Sequence, residues 1–338
     1  MKAALMQPVW IAAILFLCIA QAAMTQEQPA PVVRQVVLVR GASGAAEYGT
    51  QFDLWSSRWS ESAKRGGCQI VSIGPTEQQL GSDDADDLVR LNDVLKVASD
   101  DAVSELWVVL IGHGTFDGKT ARFNLRGPDL SSGELKQALE HRKGATVIVN
   151  CSSASSPFLS ELAGPRRVVI TATKAGSEQN FARFGDYFSS AIGDQKHDLD
   201  KDGQTSLLEA FLAASRQTSS FYESDGRLET EHALLDDNGD GHGLRADWYR
   251  GLRLVKKPDH GKPADGMRAQ QFHLVLSPSE QRLSPEARRE RDEAVQAVYK
   301  LRQRKAEFAK EDEYLRELEK LCVRIAELDE RRRVKPGQ

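Results

Sequence analysis

Apolar runs of strand length alternate with amphipathic stretches through the first two thirds of this chain. The apolar runs lie at 35–39, 69–73, 106–111, 146–149 and 168–171. The stretches with helical spacing lie at 48–64, 84–98, 131–139 and 181–192. Strands that are apolar on both faces belong in a parallel sheet that helices cover on both sides. The pattern therefore predicts an α/β fold, a three-layer α/β/α sandwich with a mostly parallel sheet.

The first residues have the organisation of a secretory signal peptide. Lys2 is followed by the apolar run 9–20, which is too short for a comfortable membrane span, and by the cleavage-type sequence Ala20-Gln21-Ala22. Residues 1–22 therefore predict an exported protein, periplasmic or extracellular, with an uncleaved N-terminal membrane anchor as the alternative. The formal net charge of −4 gives no reason to expect nucleic acid as a partner.

The rest of the chain divides by composition. We assign 23–33 to a leader, 34–255 to the α/β domain, 256–283 to a linker and 284–333 to a charged helical segment. In the last segment a heptad pattern runs through Leu301, Phe308, Leu315 and Cys322, with Leu318 and Ile325 offset by three. This pattern predicts a long C-terminal helix or a helical hairpin. It serves either as a coiled coil for self-association or a protein partner, or as a helix folded back on the domain.

Two predicted strands end in residues that can carry chemistry. The run 106–111 leads into His113 and Gly114, and the run 146–149 leads into Cys151. The carboxyl ends of parallel strands meet at one edge of a sheet, where an imidazole can take the proton of a thiol. A glycine there lets a backbone N–H approach an oxyanion. Alternatively, the histidine lies in a turn and the cysteine is a small buried hydrophobe.

The order and spacing of these motifs resemble those of the clan CD cysteine peptidases, which include legumains, caspases and gingipains. The legumain branch is closest, because 123–139 and 169–181 are similar to segments that follow its catalytic histidine and cysteine. The resemblance covers 34–192. It implies a caspase-like sandwich and an endopeptidase that hydrolyses peptide or protein substrates without an organic cofactor. It further implies His113 as general base and acid, Cys151 as nucleophile, and the N–H groups of Gly114 and Cys151 as oxyanion donors.

The register of the nucleophile stays open. Members of this family usually place a polar residue, an alanine and then the cysteine after the strand. Aligned in that way, Asn150 is the polar residue, Cys151 takes the place of the alanine, and Ser152 occupies the nucleophile position. A serine with only a histidine to activate it is a weak nucleophile. In this register the domain is catalytically inactive and serves as a calcium-dependent binding or scaffolding module.

Residues 198–209 match the calcium-loop pattern D-x-D-x-D-G-x5-E. The predicted ligands are Asp198, Asp200, Asp202, Gln204 through its carbonyl, Ser206 and Glu209. A second loop, 236–247, meets the pattern in part, with Asp236, Asn238, Asp240 and Asp247 as candidate ligands. Ca²⁺ is thus the predicted cofactor, and the alternative is a pair of acidic surface turns. The two loops either pair like EF-hands or each fix a loop to the domain.

Overall fold

The computed structural model describes residues 33–75, 86–98, 103–256 and 263–333. The strands, in chain order, are β1 (Val33–Arg40), β2 (Gln69–Ile73), β3 (Val103–Ile111), β4 (Gly114–Phe116), β5 (Ala121–Phe123), β6 (Leu130–Ser131), β7 (Ala145–Asn150), β8 (Arg167–Thr171), β9 (Leu234–Asp236), β10 (Tyr249–Arg250) and β11 (Arg253–Leu254). The helices are α1 (Ala46–Arg65), α2 (Asp87–Ala98), α3 (Ser132–Ala138), α4 (Ser156–Leu162), α5 (Phe184–Ala191), α6 (Leu207–Ser224), α7 (Pro278–Gln281), α8 (Pro285–Gln303) and α9 (Glu311–Arg333).

The main sheet has the strand order β2-β1-β3-β7-β8-β9 within the described residues. All neighbouring strands from β2 to β8 run parallel, and β9 joins β8 in the antiparallel direction. Each parallel strand predicted from an apolar run is present. The carboxyl ends of the parallel strands therefore share one edge of the sheet, and their amino ends share the opposite edge.

Helices cover both faces of this sheet. On one face, aromatic side chains of α1 and α5 pack on the sheet together with α6; examples are Trp55, Trp59 and Phe188. On the other face, α2, α3 and α4 bury apolar side chains such as Leu91 and Phe158. The three-layer α/β/α sandwich with a mostly parallel sheet is confirmed, and it follows from strands that are apolar on both sides.

The elements that the sequence pattern did not predict are short. After β3 the chain forms a small antiparallel sheet of β4, β5 and β6. The following helix α3 begins with a reciprocal capping box between Ser131 and Glu134, as their spacing predicts. Strands of two or three residues leave too little hydrophobic periodicity to be recognised in a sequence.

The C-terminal segment is a helical hairpin, in which α8 and α9 pack against each other. Its seam on α9 is formed by Tyr314, Leu318, Leu321, Ile325 and Leu328, which are buried or half-buried. The predicted seam residues Leu318 and Ile325 lie there, whereas Leu315 and Cys322 are exposed. The contact stripe on α9 is therefore displaced by one residue from part of the heptad pattern.

The segment that composition marks as a linker, 256–283, is described from 263 onward. Within it Ala264 and Leu274 are buried, and Phe272 packs its ring against Trp107 in the sheet. This part of the chain is therefore attached to the domain rather than free of it. The predicted signal peptide and nearly all of the leader lie outside the described residues. In the part of the chain that is described, no helix is long and apolar enough to cross a bilayer.

Trp59 tests the packing of α1 on the sheet. We expect Trp59→Ala to lower the free energy of unfolding by about 3–5 kcal/mol, because it opens a cavity in a fully buried aromatic cluster. The matched control on the same helix is Leu54→Ala, at a side chain that is 48% exposed, which we expect to change it by less than about 0.5 kcal/mol. Denaturant unfolding followed by circular dichroism measures both. Equal losses in the two variants would contradict this packing.

Candidate functional site

The predicted histidine and cysteine follow neighbouring strands. Strands β3 and β7 are paired, with Leu110 opposite Asn150. His113 lies just beyond the end of β3, and Cys151 is the first residue after β7. Both residues therefore lie at the carboxyl edge of the sheet, the edge at which α/β proteins bind ligands.

His113 is held in an aromatic environment on the α1 side of the sheet. Its Nε2 atom lies 3.1 Å from the carbonyl oxygen of Ser43. The rings of Tyr48, Phe52 and Phe181 surround the imidazole at centroid distances of 4.7, 5.2 and 6.0 Å. Within the described residues no hydrogen bond joins this histidine to a cysteine or serine side chain. The imidazole is thus positioned by α1 and by the loop after β1.

Cys151 lies inside the hydrophobic core rather than on the open edge. Its exposed fraction is 1%, and it belongs to the cluster that α1 and α5 cover. A Cβ atom added to Gly185 would come within 2.7 Å of both the cysteine Cβ and the Trp55 ring, so α5 packs directly over it. Burial raises the pKa of the Cys151 thiol to about 12, and Glu231 adds to this effect. Since the thiolate is the nucleophile, the structure does not support the predicted role of this cysteine.

Ser152 is the side chain that faces the glycine after the histidine. A Cβ atom added to Gly114 would come within 2.6 Å of the serine Oγ. That hydroxyl is fully buried and donates a 2.7 Å hydrogen bond to Oδ1 of Asn150. A carboxamide oxygen accepts hydrogen bonds but is too weak a base to remove the hydroxyl proton at neutral pH. The serine is therefore fixed in place without a base to activate it.

The predicted oxyanion donor is also engaged within the protein. The Gly114 N–H points at Oγ of Ser153 at 3.4 Å, and the same Oγ donates to the Gly114 carbonyl oxygen at 3.1 Å. The cysteine N–H at position 151 donates to the carbonyl of Leu110 at 2.9 Å. Neither of the two N–H groups that the resemblance assigns to an oxyanion is therefore directed into open space.

Two acidic side chains near this edge carry no sequence signal. Glu231 is buried and accepts hydrogen bonds from the backbone N–H groups of Arg183 and Phe184, where α5 begins. Its pKa is raised to about 6 by burial, although these hydrogen bonds lower it in part. Glu178 accepts a 2.6 Å hydrogen bond from the ring of His232. Each contact spans about fifty residues of sequence, so no local spacing reveals it.

The first acidic loop gathers three of its predicted ligands. Oxygen atoms of Asp198, Asp200 and Asp202 lie within 4.8 Å of one another. The turn is formed by Gly203, which has a φ of +89° that favours glycine. The pKa of Asp200 is raised to about 6 by partial burial and then by the neighbouring carboxylates of Asp202 and Glu209. The loop thus holds negative charges together, and a hard cation would relieve their repulsion.

The closing residues of this loop make hydrogen bonds within the protein. Glu209 accepts from the N–H groups of Leu199 at 2.6 Å and Ser206 at 2.7 Å, and it forms a capping box with Ser206 where α6 begins. The side-chain oxygen of Gln204 accepts from the N–H of Ser277 at 3.0 Å. Glu209 therefore lies beside the aspartate cluster, but its carboxylate is directed at backbone donors.

The second acidic loop repeats the turn of the first at its first three ligand positions and differs at its closing residue. Asp236, at the end of β9, accepts N–H bonds from within its own turn, as do Asn238 and Asp240. Asp247 is directed instead at Lys256, 2.8 Å away, and at Arg245. It does not close the loop, because its partners are these cations. The loops 198–209 and 236–247 attach to different parts of the domain. Ser206 in the first loop forms a β-bridge with His273, whereas Leu244 in the second forms one with Leu235 of β9.

Comparisons with known proteins find distant likenesses in structure only. No protein-family model matches the sequence, and no curated protein matches it. The structure is similar to the Drosophila initiator caspase Dronc at 14% identity and a TM-score of 0.38, over 63% of this chain and 83% of that chain. It is also similar to caspase-1 from Spodoptera frugiperda at 8% identity and a TM-score of 0.38, over 61% of this chain and 86% of that chain. The sandwich itself is defined by this chain's own strand order and helix layers.

Thiol labelling tests the burial of Cys151. In the native protein we expect iodoacetamide to modify exposed Cys322 and to leave Cys151 unmodified until denaturant is added, because burial and a raised pKa suppress the thiolate. Peptide mass spectrometry assigns the label to each site. In the Cys322→Ser control the Cys322 label should disappear. Rapid labelling of Cys151 in the native protein, slowed by His113→Ala, would restore the catalytic interpretation.

Proposed function

We propose that this protein is an exported, peptidase-like domain without a working nucleophile that serves as a calcium-dependent protein-binding module. The observation that carries the proposal is the position of Cys151 beneath α5, which withholds the thiol from substrate. The peptidase-like part of the proposal rests on the resemblance to clan CD peptidases in the motif order around His113. Export rests on the signal-type sequence at residues 1–22.

The hydrogen bonds at the carboxyl edge support the loss of catalysis. General base catalysis requires the base within hydrogen-bond reach of the proton that it removes. The ring of His113 instead lies against Ser43, and the hydroxyl of Ser152 donates to Asn150. The edge has the residue types of a dyad, but each polar group has a different partner. This arrangement favours a binding role over hydrolysis.

Calcium is proposed for the first loop. Asp198, Asp200 and Asp202 would hold the ion, with the backbone carbonyl of Gln204 as a further oxygen ligand. Bound Ca²⁺ would neutralise the repulsion that raises the pKa of Asp200. The second loop has the neutral Asn238 where the first has Asp200, and its Asp247 is paired with Lys256, so we propose no ion there.

Backbone contacts connect this loop to the C-terminal segment. The N–H of Leu207 donates to the carbonyl of Phe272 at 2.7 Å, and Ser206 forms an isolated bridge with His273. The N–H of Ser277 donates to the side-chain oxygen of Gln204, and the hydroxyl of Ser277 accepts the N–H of Glu280 in α7. Through these contacts, an ion that orders the loop would also stabilise the segment that leads into α8.

The hairpin of α8 and α9 is the proposed docking element. Its outer side carries Leu315 and Val323, which are 49% and 51% exposed, beside the exposed thiol of Cys322. These side chains lie among many charged residues, which is typical of a helix that meets a partner through a narrow apolar stripe. We propose that calcium stabilises the hairpin's attachment and so favours binding through this stripe.

Substrate profiling tests the absence of catalysis. We expect the protein to cleave no member of a peptide library, with or without calcium and reductant, beyond the level of a His113→Ala, Ser152→Ala double variant. The reason is that the imidazole lies beside the Ser43 carbonyl, the Ser152 hydroxyl donates to Asn150, and the Cys151 thiol is buried. Cleavage by the wild type that His113→Ala abolishes would refute the binding-module proposal and support the endopeptidase.

Asp200→Asn tests the calcium site. At Ca²⁺ a hundredfold above its Kd, we expect the wild-type protein to gain about 2.7 kcal/mol in stability. The variant should be more stable than wild type in EGTA, because one repelling charge is gone, and should lose most of the calcium response. Thermal unfolding measures both effects, and slower hydrogen exchange in α8 with calcium reports the coupling to the hairpin.

The matched control is Asp225→Asn, an exposed aspartate at the end of α6 whose ion pair is with Arg227. It removes one negative charge outside the loop and should leave the calcium response unchanged. An equal loss of response in both variants would mean that the effect is one of net charge rather than of a site. No calcium response in the wild type would remove calcium from the proposed function.

A further inference from the structure

A cavity of about 450 Å³ lies between the amino edge of the main sheet and the start of the C-terminal hairpin. The sheet side contributes Arg34 from β1 and Arg166, just before β8. The other side contributes Arg268 from the segment before α7, and Arg288 and Arg291 from α8. The cavity is therefore at the opposite edge of the sheet from His113.

Two of these arginines are neutralised by carboxylates of the protein. Arg34 forms a 2.9 Å ion pair with Glu105. Arg291 forms ion pairs with Glu280 at 2.6 Å and Asp292 at 2.7 Å. These ion pairs fix the two guanidinium groups in position and neutralise their charges. They form part of the wall and are not available to bind a ligand strongly.

A third arginine of the wall, Arg289, pairs with Glu293 at 3.9 Å, and the other three form no ion pair within the described ranges. Among the described residues no carboxylate forms an ion pair with Arg166, Arg268 or Arg288 within 4.0 Å. Arg166 donates to a backbone carbonyl. Arg268 has a charge interaction with Asp237, which also accepts its backbone N–H, and Arg288 has a charge interaction with Asp292. The Nε atom of Arg288 is buried and has no hydrogen-bond partner in the described part of the chain.

A buried guanidinium donor without an acceptor is unfavourable, and an oxyanion would satisfy it. Guanidinium groups from three separate parts of the chain converge on one space, which is the arrangement that binds an anion with several oxygen atoms. A volume of about 450 Å³ suits a small molecule rather than a folded partner. The protein's net charge of −4 makes this local excess of arginine stand apart from the rest of the surface.

We propose that this cavity binds a small polyanion carrying phosphate or carboxylate groups, held by Arg166, Arg268 and Arg288. Such a ligand would connect the sheet, the segment before α7 and the hairpin, since each supplies one of the three guanidinium groups. Binding would stabilise the hairpin in its attached position. The three arginines are not among the residues proposed to hold calcium in the acidic loop at 198–209.

Isothermal titration calorimetry tests the proposal with two probes, inorganic pyrophosphate and citrate, at constant ionic strength in protein and buffer from which a chelating resin has removed calcium. Removing calcium without a soluble chelator excludes heat from calcium binding and adds no competing polyanion, so failure here is distinguishable from failure of the calcium proposal. We expect saturable binding of at least one probe, and the stronger one identifies phosphate or carboxylate as the preferred group. Arg288→Gln and Arg268→Gln should each weaken binding by roughly tenfold or more, because each removes a charge-assisted contact.

The matched control is Arg302→Gln, which removes an exposed arginine from the same helix α8 outside the cavity. Binding should be unchanged in this variant. The proposal is overturned if neither probe binds saturably, if both cavity variants bind as the wild type does, or if Arg302→Gln weakens binding equally. Circular dichroism verifies that each variant is folded, and two independent cavity variants keep the test valid if one of them is not.

Discussion

The alternation of side chains along β7 determines on which face of the sheet Cys151 lies. Val147, Val149 and Cys151 belong to the core under α1 and α5, whereas Ile148 belongs to the core on the opposite face. Because successive side chains of a strand point to opposite faces, the cysteine continues the buried row. Gly185 then allows α5 to pack over it without a gap. The thiol becomes part of the core, while His113 lies at the sheet edge with its Nε2 beside the carbonyl of Ser43.

Several polar groups at that edge hydrogen-bond to one another, although Nδ2 of Asn150 is buried without a partner in the described part of the chain. Ser152 is bonded to Asn150, and Ser153 is bonded to both backbone groups of Gly114. Glu231 supplies the acceptor that the first N–H groups of α5 require. A buried group with a partner within the protein has little to gain from a substrate. Both serine hydroxyls at this edge are therefore engaged within the protein.

Unbalanced charge lies elsewhere, in two places of opposite sign. The loop around Asp200 gathers carboxylates, and the cavity beside Arg288 gathers guanidinium groups. Both contact the same C-terminal segment, because Ser277 bonds to Gln204 while the neighbouring His273 lines the cavity. A ligand that binds only the folded arrangement stabilises it by mass action. Ligands bound at the two proposed sites would therefore both stabilise one element, the attachment of the hairpin.

Sequence patterns alone determined what depends on neighbours along the chain. Apolar runs set the parallel strands and their two helical layers, and the spacing of Ser131 and Glu134 set a capping box that the structure contains. The aspartate spacing at 198–202 likewise brought three carboxylates together.

Only the tertiary structure decided questions that depend on distant partners. It placed Cys151 under Gly185, thirty-four positions away, and directed Asp247 at Lys256 instead of toward its loop. It also placed Tyr314 rather than Leu315 in the hairpin seam. The side chains of α9 that face α8 do not follow the heptad spacing throughout. Periodicity determines which side of an element is apolar, and packing determines what covers that side. Here α5 covers Cys151, so the thiol is not exposed at the carboxyl edge of the sheet.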